Sequence, residues 1–127
     1  MNIISPSLEI QEVATDSLIE EVVTKLAERD DPFAILEEDE QTYMQVLWTV
    51  DGYDLEYQER DIMHHFRLAK LVTAQKAIWA LQSYLGKDGK WKEQLEFVGK
   101  DITGLGYRMG YAIGQFFGRI KRSFERV

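Results

Sequence analysis

The amino-acid sequence predicts an α+β fold in which an antiparallel four-stranded meander is packed on one face by helices and followed by a long C-terminal helix striped with glycine. Three observations predict it. Two extended runs, Tyr43 to Val50 and Tyr53 to Glu59, flank Asp51-Gly52, the strongest short-range hairpin signal. Two stretches, Ser17 to Leu26 and Thr73 to Leu85, repeat apolar residues at helical spacing. From Ile102 onward Ile102, Leu105, Met109, Ala112, Phe116, Ile120 and Val127 follow three- and four-residue steps, interrupted only at Ser123, beside a glycine at every fourth position.

Asn2 to Ile4 reads as a short strand, stopped by Pro6, which cannot donate to a ladder. Ser17 and Glu20 have the spacing of a capping box, each able to satisfy an orphan amide at a helix start. Leu18, Val22, Val23 and Leu26 then form the apolar stripe, and the helix ends before Asp30-Asp31-Pro32, where the proline disfavours helical geometry in the residue ahead of it. Phe33 to Leu36 suits a buried strand, and Glu37 to Glu40 is a connection too charged to bury.

With Asp51 and Gly52 as the loop, Val50 faces Tyr53, Trp48 faces Leu55 and Val46 faces Tyr57. The interleaved pairs, Thr49 with Asp54, Leu47 with Glu56 and Gln45 with Gln58, put polar groups on the opposite face. A slip of one residue would turn the aromatic side to water, so the register is well specified. Ile62 to Leu68 supplies the fourth strand, with His64, Phe66 and Leu68 on one face and Met63, His65 and Arg67 on the other. Thr73 is placed to cap a second helix whose inward face is Ala74, Ala77, Ile78, Leu81 and Leu85, and Gly86 to stop it in left-handed geometry. After a turn at Lys87 to Lys90, Trp91 to Phe97 suits either a helical turn or an edge strand, with Trp91, Leu95 and Phe97 as anchors.

The division that follows is an α+β domain over 1–100 and an amphipathic helix over 101–127. Four glycines inside an exposed helix, Gly106, Gly110, Gly114 and Gly118, would cost roughly 3–4 kcal/mol relative to alanine. Such a helix needs a neighbour, which makes Gly106, Met109, Gly110, Ile113, Gly114, Phe117 and Gly118 the candidate contact for packing or homo-oligomerisation. Arg108 and Gln115 break the apolar run, leaving no span near the ~20 residues a bilayer requires. The basic residues Arg119, Lys121, Arg122 and Arg126 beside Phe116 and Phe117 give a second reading, attachment to a membrane surface.

Composition bounds the rest. A chain of 127 residues with 45% hydrophobic residues is long enough to bury one core, and with no cysteine it has neither disulfides nor thiolate chemistry. The first residues lack a basic segment followed by an apolar run, so no signal peptide is expected and cytoplasm is the default. The net charge of -7 is uneven: residues 1–61 carry 17 acids against the bases Lys25, Arg29 and Arg60. That half repels nucleic acid and steers a basic protein partner. Glu37, Glu38, Asp39, Glu40, Asp51, Asp54 and Glu56 are the candidate partner-binding surface.

Catalytic and metal signatures are missing from the sequence. His64 and His65 are adjacent, so on a strand they point to opposite faces and do not converge on one ion. Glu37 to Glu40 lacks the alternating ligands, glycine and distal glutamate of a calcium loop. Gly104-Leu-Gly106 lacks the rest of a dinucleotide loop, and no G-x-S-x-G, P-loop or H-E-x-x-H occurs. No cofactor, no metal and no enzymatic activity are expected.

The acidic first helix, the strands around Tyr43-Met-Gln-Val-Leu-Trp48 and Tyr53-Asp-Leu-Glu-Tyr57, the helix Val72 to Leu85 and then Trp91-Lys-Glu-Gln-Leu-Glu-Phe97 resemble small bacterial immunity proteins that neutralise secreted deaminase toxins. The resemblance covers residues 16–98 and rests on element order and aromatic placement. It implies a cytoplasmic, non-catalytic inhibitor that covers the substrate-binding surface of a cognate toxin. The last 27 residues have no counterpart in that pattern.

Overall fold

The computed structural model describes residues 1–99; the glycine-striped segment, with Gly106, Met109, Gly110, Ile113, Gly114, Phe117 and Gly118, lies outside the described residues. The chain runs β1 (Asn2–Ser5), β2 (Ile10–Val13), α1 (Asp16–Leu26), β3 (Phe33–Asp39), β4 (Thr42–Thr49), β5 (Gly52–Gln58), β6 (His65–Leu68), α2 (Ala74–Gly86), α3 (Lys90–Gln94) and β7 (Phe97–Gly99). The fold is α+β, but the sheet has seven strands instead of the expected four, in the order β2-β1-β3-β4-β5-β6-β7, all antiparallel. The three strands beyond the meander are short: β1 is the strand expected at Asn2 to Ile4 and joins the sheet beside β3, β2 returns from the Pro6 turn to pair with β1, and β7 pairs with β6, the last two being too short for periodicity to resolve.

One face of the sheet and the two longer helices share a core. Leu36, Met44, Val46, Leu55 and Tyr57 from the strands meet Ile19, Val22, Val23 and Leu26 of α1 and Ala77, Ala80 and Leu81 of α2. Met44 and Leu55 are fully enclosed, each worth roughly 1.5–3 kcal/mol of transfer free energy. The Tyr53 hydroxyl donates to the Val23 carbonyl of α1 at 3.2 Å, which pins that helix to this side. At the far end Trp91 of α3 meets Tyr57 edge-on, with ring centroids 4.8 Å apart, and Phe97 does the same at 4.8 Å.

Local signals were displaced by small steps. Thr15, not Ser17, caps α1, its Oγ1 accepting from Leu18 N–H at 3.1 Å, so Ser17 sits inside the first turn. Thr73 caps α2 as expected, accepting from Lys76 N–H at 3.1 Å. The inward face of α2 centres on Ala77, Ala80, Leu81 and Tyr84, while Ala74, Ile78 and Leu85 of the expected stripe are only partly buried against the core. Gly86 ends the helix, and Lys87 takes the left-handed position at φ 57°.

The hairpin keeps its two faces but not its register. Thr49 pairs with Gly52, Trp48 with Tyr53, Val46 with Leu55 and Met44 with Tyr57, so the turn is Val50-Asp51 and every pair is shifted by two residues from expectation. A shift of two preserves which side each residue faces. Two contacts account for it. Thr49 Oγ1 donates to the Gly52 carbonyl at 2.8 Å, and the first residues of β5 are taken up by a bridge in which Tyr53 N–H donates to Val72 O at 2.8 Å and Val72 N–H to Tyr53 O at 2.9 Å. Gly52 is required there rather than in a turn: its φ is +146°, and a Cβ would lie 3.1 Å from the Val72 oxygen.

Candidate functional site

The seven residues expected to form one acidic surface fall in three places. Glu38, Asp39 and Glu40 are exposed at the β3–β4 connection, Asp51 is exposed in the β4–β5 turn, and Glu37, Asp54 and Glu56 are buried. Asp51 is at the opposite end of β4 from Glu40, a separation of about 26 Å at ~3.3 Å per strand residue. No single partner footprint centred on Glu40 need include it.

The exposed group belongs to a structured loop end. β3 runs through Glu37 to Asp39 with a register irregularity, which corrects the expectation of an unpaired connection after Leu36. Asp39 Oδ1 accepts from Gln41 N–H at 2.8 Å, and Lys87 Nζ of the α2 terminus donates to Glu38 Oε1 at 2.8 Å. The neighbouring β5–β6 connection is laced to it: Gln58 Nε2 donates to the Gln41 carbonyl at 3.1 Å and to Gln41 Oε1 at 3.0 Å, and Arg60 N–H donates to Thr42 Oγ1 at 3.2 Å.

This second loop departs from expectation. β6 begins at His65, and Asp61 to His64 form a turn in which Met63 N–H donates to Asp61 Oδ1 at 2.9 Å and the His64 ring lies 2.9 Å from the same oxygen. The His64 hydrogen bond, aided by Met63 N–H, holds the Asp61 carboxyl below the usual carboxylate range. Lys92 Nζ donates to Glu59 Oε1 at 2.6 Å. The turn leaves Ile62 at 36% and Met63 at 69% exposure. Two large apolar side chains therefore project at the end of the sheet that carries Glu38, Asp39, Glu40, Glu59 and Asp61. Reading Ile62 as the start of a strand hid them; the signal that separates loop from strand is Asp61, an aspartate that closes a turn on its own following amides.

The buried acids occupy the face of the sheet opposite the helices, where the sequence places an outward polar surface. That expectation is corrected by the burial of the whole row: Gln45, Asp54, Glu56, Gln58 and His65 are each under 7% exposed. Cross-strand bonds make this tolerable. His65 Nε2 is 3.0 Å from Glu56 Oε2 and its Nδ1 is 3.1 Å from Gln58 Oε1, so both ring nitrogens face oxygen acceptors. Arg67 Nε donates to Asp54 Oδ2 at 3.1 Å, and the Tyr43 hydroxyl reaches Gln58 Oε1 at 3.5 Å. Burial foremost, then the Glu56 charge, pushes the Tyr43 phenol up to about 12. His64 and His65 serve different loops and faces and share no ligand.

Among the described residues no three His, Asp or Glu side chains converge as a metal set, and no helix is long and apolar enough to cross a membrane. Comparison with family models, with curated proteins and with solved structures finds no match to this chain.

Proposed function

We propose that the chain is a non-catalytic protein-binding module, an inhibitor of the immunity type that neutralises a cognate bacterial toxin by engaging a basic surface. The observation that carries the reading is the loop end of the sheet, where exposed Ile62 and Met63 share one edge of the molecule with Glu38, Asp39, Glu40, Glu59 and Asp61. Apolar anchors within a charged rim are how interfaces divide their work: the anchors fill pockets and slow dissociation, while the rim charges speed encounter and exclude like-charged competitors. Met63 suits this because its unbranched side chain adapts to an irregular pocket. The resemblance over residues 16–98 supplies the finer content, a toxin as partner.

The test is affinity capture from the lysate of the source organism with the wild-type chain and with a Glu38→Lys/Asp39→Lys/Glu40→Lys/Met63→Asp variant. The expected result is a basic, toxin-like protein retained by the wild type, lost by the variant and bound more slowly as salt is raised. Equal retention by both proteins, or recovery of nothing but further copies of the chain, overturns the reading.

A further inference from the structure

Tyr84 of α2 is 7% exposed, yet its hydroxyl is buried with no hydrogen-bond partner among the described residues. A phenylalanine would fill the same space without an unsatisfied oxygen, so the hydroxyl brings nothing to folding. The pleat shows what lies around it. Glu37 and Gln58 face away from the helices, so Glu38 and Glu59, each one residue further along the chain, face toward them. Their ion pairs agree: Lys87 Nζ at the end of α2 donates to Glu38 Oε1 at 2.8 Å, and Lys92 Nζ of α3 donates to Glu59 Oε1 at 2.6 Å. β3 and β5 flank β4, so the two glutamates approach Tyr84 from either side of one strand, about 10 Å apart at the backbone. Burial first, then the charges of Glu38, Glu59 and Asp39, hold the Tyr84 phenol above its ordinary 10.0. These are the groups its oxygen faces.

Two cations of the chain already sit at the rim. Lys92 Nζ lies 5.5 Å from the Tyr57 ring centroid and 5.8 Å from that of Trp91, and Trp91 in turn packs on Tyr84 with centroids 5.5 Å apart. Each ammonium serves one carboxylate, and neither bonds the phenol. The side chains of both pairs are between 35% and 66% exposed, where ion pairs hold weakly.

We propose that this junction of α2 and α3 with the ends of β3 and β5 seats the guanidinium of an arginine presented by a protein partner, held by Glu38, Glu59 and the Tyr84 hydroxyl, with Lys87 and Lys92 as placeholders that it displaces. A guanidinium carries five donors in one rigid plane, which suits it to bond two separated carboxylates and a phenol oxygen together, whereas an ammonium is a compact point charge. Being weakly hydrated, it also stacks on the Trp91 and Tyr57 rings that Lys92 overhangs. A metal ion fits less well, because no three His, Asp or Glu side chains of the described residues converge on one point. The occupant, an arginine of a partner, rests on the binding role proposed above, whereas the cation seat does not.

The full chain is titrated with ethylguanidinium chloride and, at matched ionic strength, with ethylammonium chloride, at concentrations well below those that unfold it. The Trp91 indole and Tyr84 ring signals are followed by NMR. The expected result is saturable shifts with ethylguanidinium and binding of ethylammonium at least about tenfold weaker. Tyr84→Phe, which keeps the packed ring, should retain the thermal midpoint and weaken ethylguanidinium binding by about tenfold. Lys87→Asn/Lys92→Gln, in which asparagine tolerates the left-handed position at φ 57°, should tighten it severalfold. Shifts that never saturate, an equal response to both salts, or a Tyr84→Phe chain that binds like the wild type overturns the seat. A failed titration leaves capture from the lysate untouched, and a failed capture beside a sound titration overturns the partner and not the seat.

Discussion

Replacing His65 with leucine removes an imidazole whose two nitrogens serve Glu56 Oε2 at 3.0 Å and Gln58 Oε1 at 3.1 Å. Both side chains of the His65–Glu56 pair are 5% exposed, so water cannot replace the lost donor without opening the face. Removing a buried donor from its acceptor costs roughly 1–3 kcal/mol. His65→Leu should therefore lower the unfolding free energy by about 1–3 kcal/mol. Glu56→Leu should cost a comparable amount, because it takes the buried partner of the imidazole Nε2 away. The double variant, with an apolar pair across β5 and β6, should lose less than the sum by about 1–3 kcal/mol, the coupling expected of groups in contact. Urea unfolding of the four proteins, with midpoints and slopes fitted to a two-state transition, measures each corner of the cycle. Single losses below about 1 kcal/mol, or strict additivity, would refute a buried pair that carries its own weight.

Three further outcomes are expected. Gly52→Ala should destabilise by at least about 1–3 kcal/mol from backbone strain at φ +146°, before adding the 3.1 Å approach of its Cβ to Val72 O; an unchanged thermal midpoint would show that the loop relaxes freely. Tyr43 and Tyr57 are pushed up to about 12, so they favour the folded state in full below the ordinary value of 10.0, and that contribution fades as pH rises toward 12. Tyrosinate absorbance should show a late step that shrinks in Tyr43→Phe and in Tyr57→Phe, and a single step near 10.0 in the folded chain contradicts the burial. Thr15→Ala should cost ~1 kcal/mol through the lost α1 cap, whereas Ser17→Ala should cost little; the reverse order in chemical denaturation would restore Ser17 as the cap.

Much of the helix-side architecture was legible in the letters, because alternation and helical spacing report which side chains leave water. Val22, Val23, Leu26, Leu55 and Tyr57 lie in the core where their periods put them. The turn at Val50-Asp51 was not legible, since its position depends on Val72, distant in sequence, taking the Tyr53 amide of β5. Nor was the burial of Glu56 and Asp54. Hydropathy assigns a carboxylate to solvent, and only cross-strand register brings His65 and Arg67 to meet them. The candidate site was half legible: Glu38, Asp39 and Glu40 are exposed as expected, while Ile62 and Met63 were absorbed into a strand that starts three residues later.

The enclosure of β4 and β5 on both sides has a consequence for how the loop end meets another molecule. Strands with no wet side open last, so their amides should exchange far more slowly than those of the marginal strands β2 and β7. Glu40 and Glu59 hang directly from this stiff centre, braced by Gln58, Thr42 and Lys92. A visitor arriving at Met63 finds a shape already set, and little of the contact energy is spent on ordering the host.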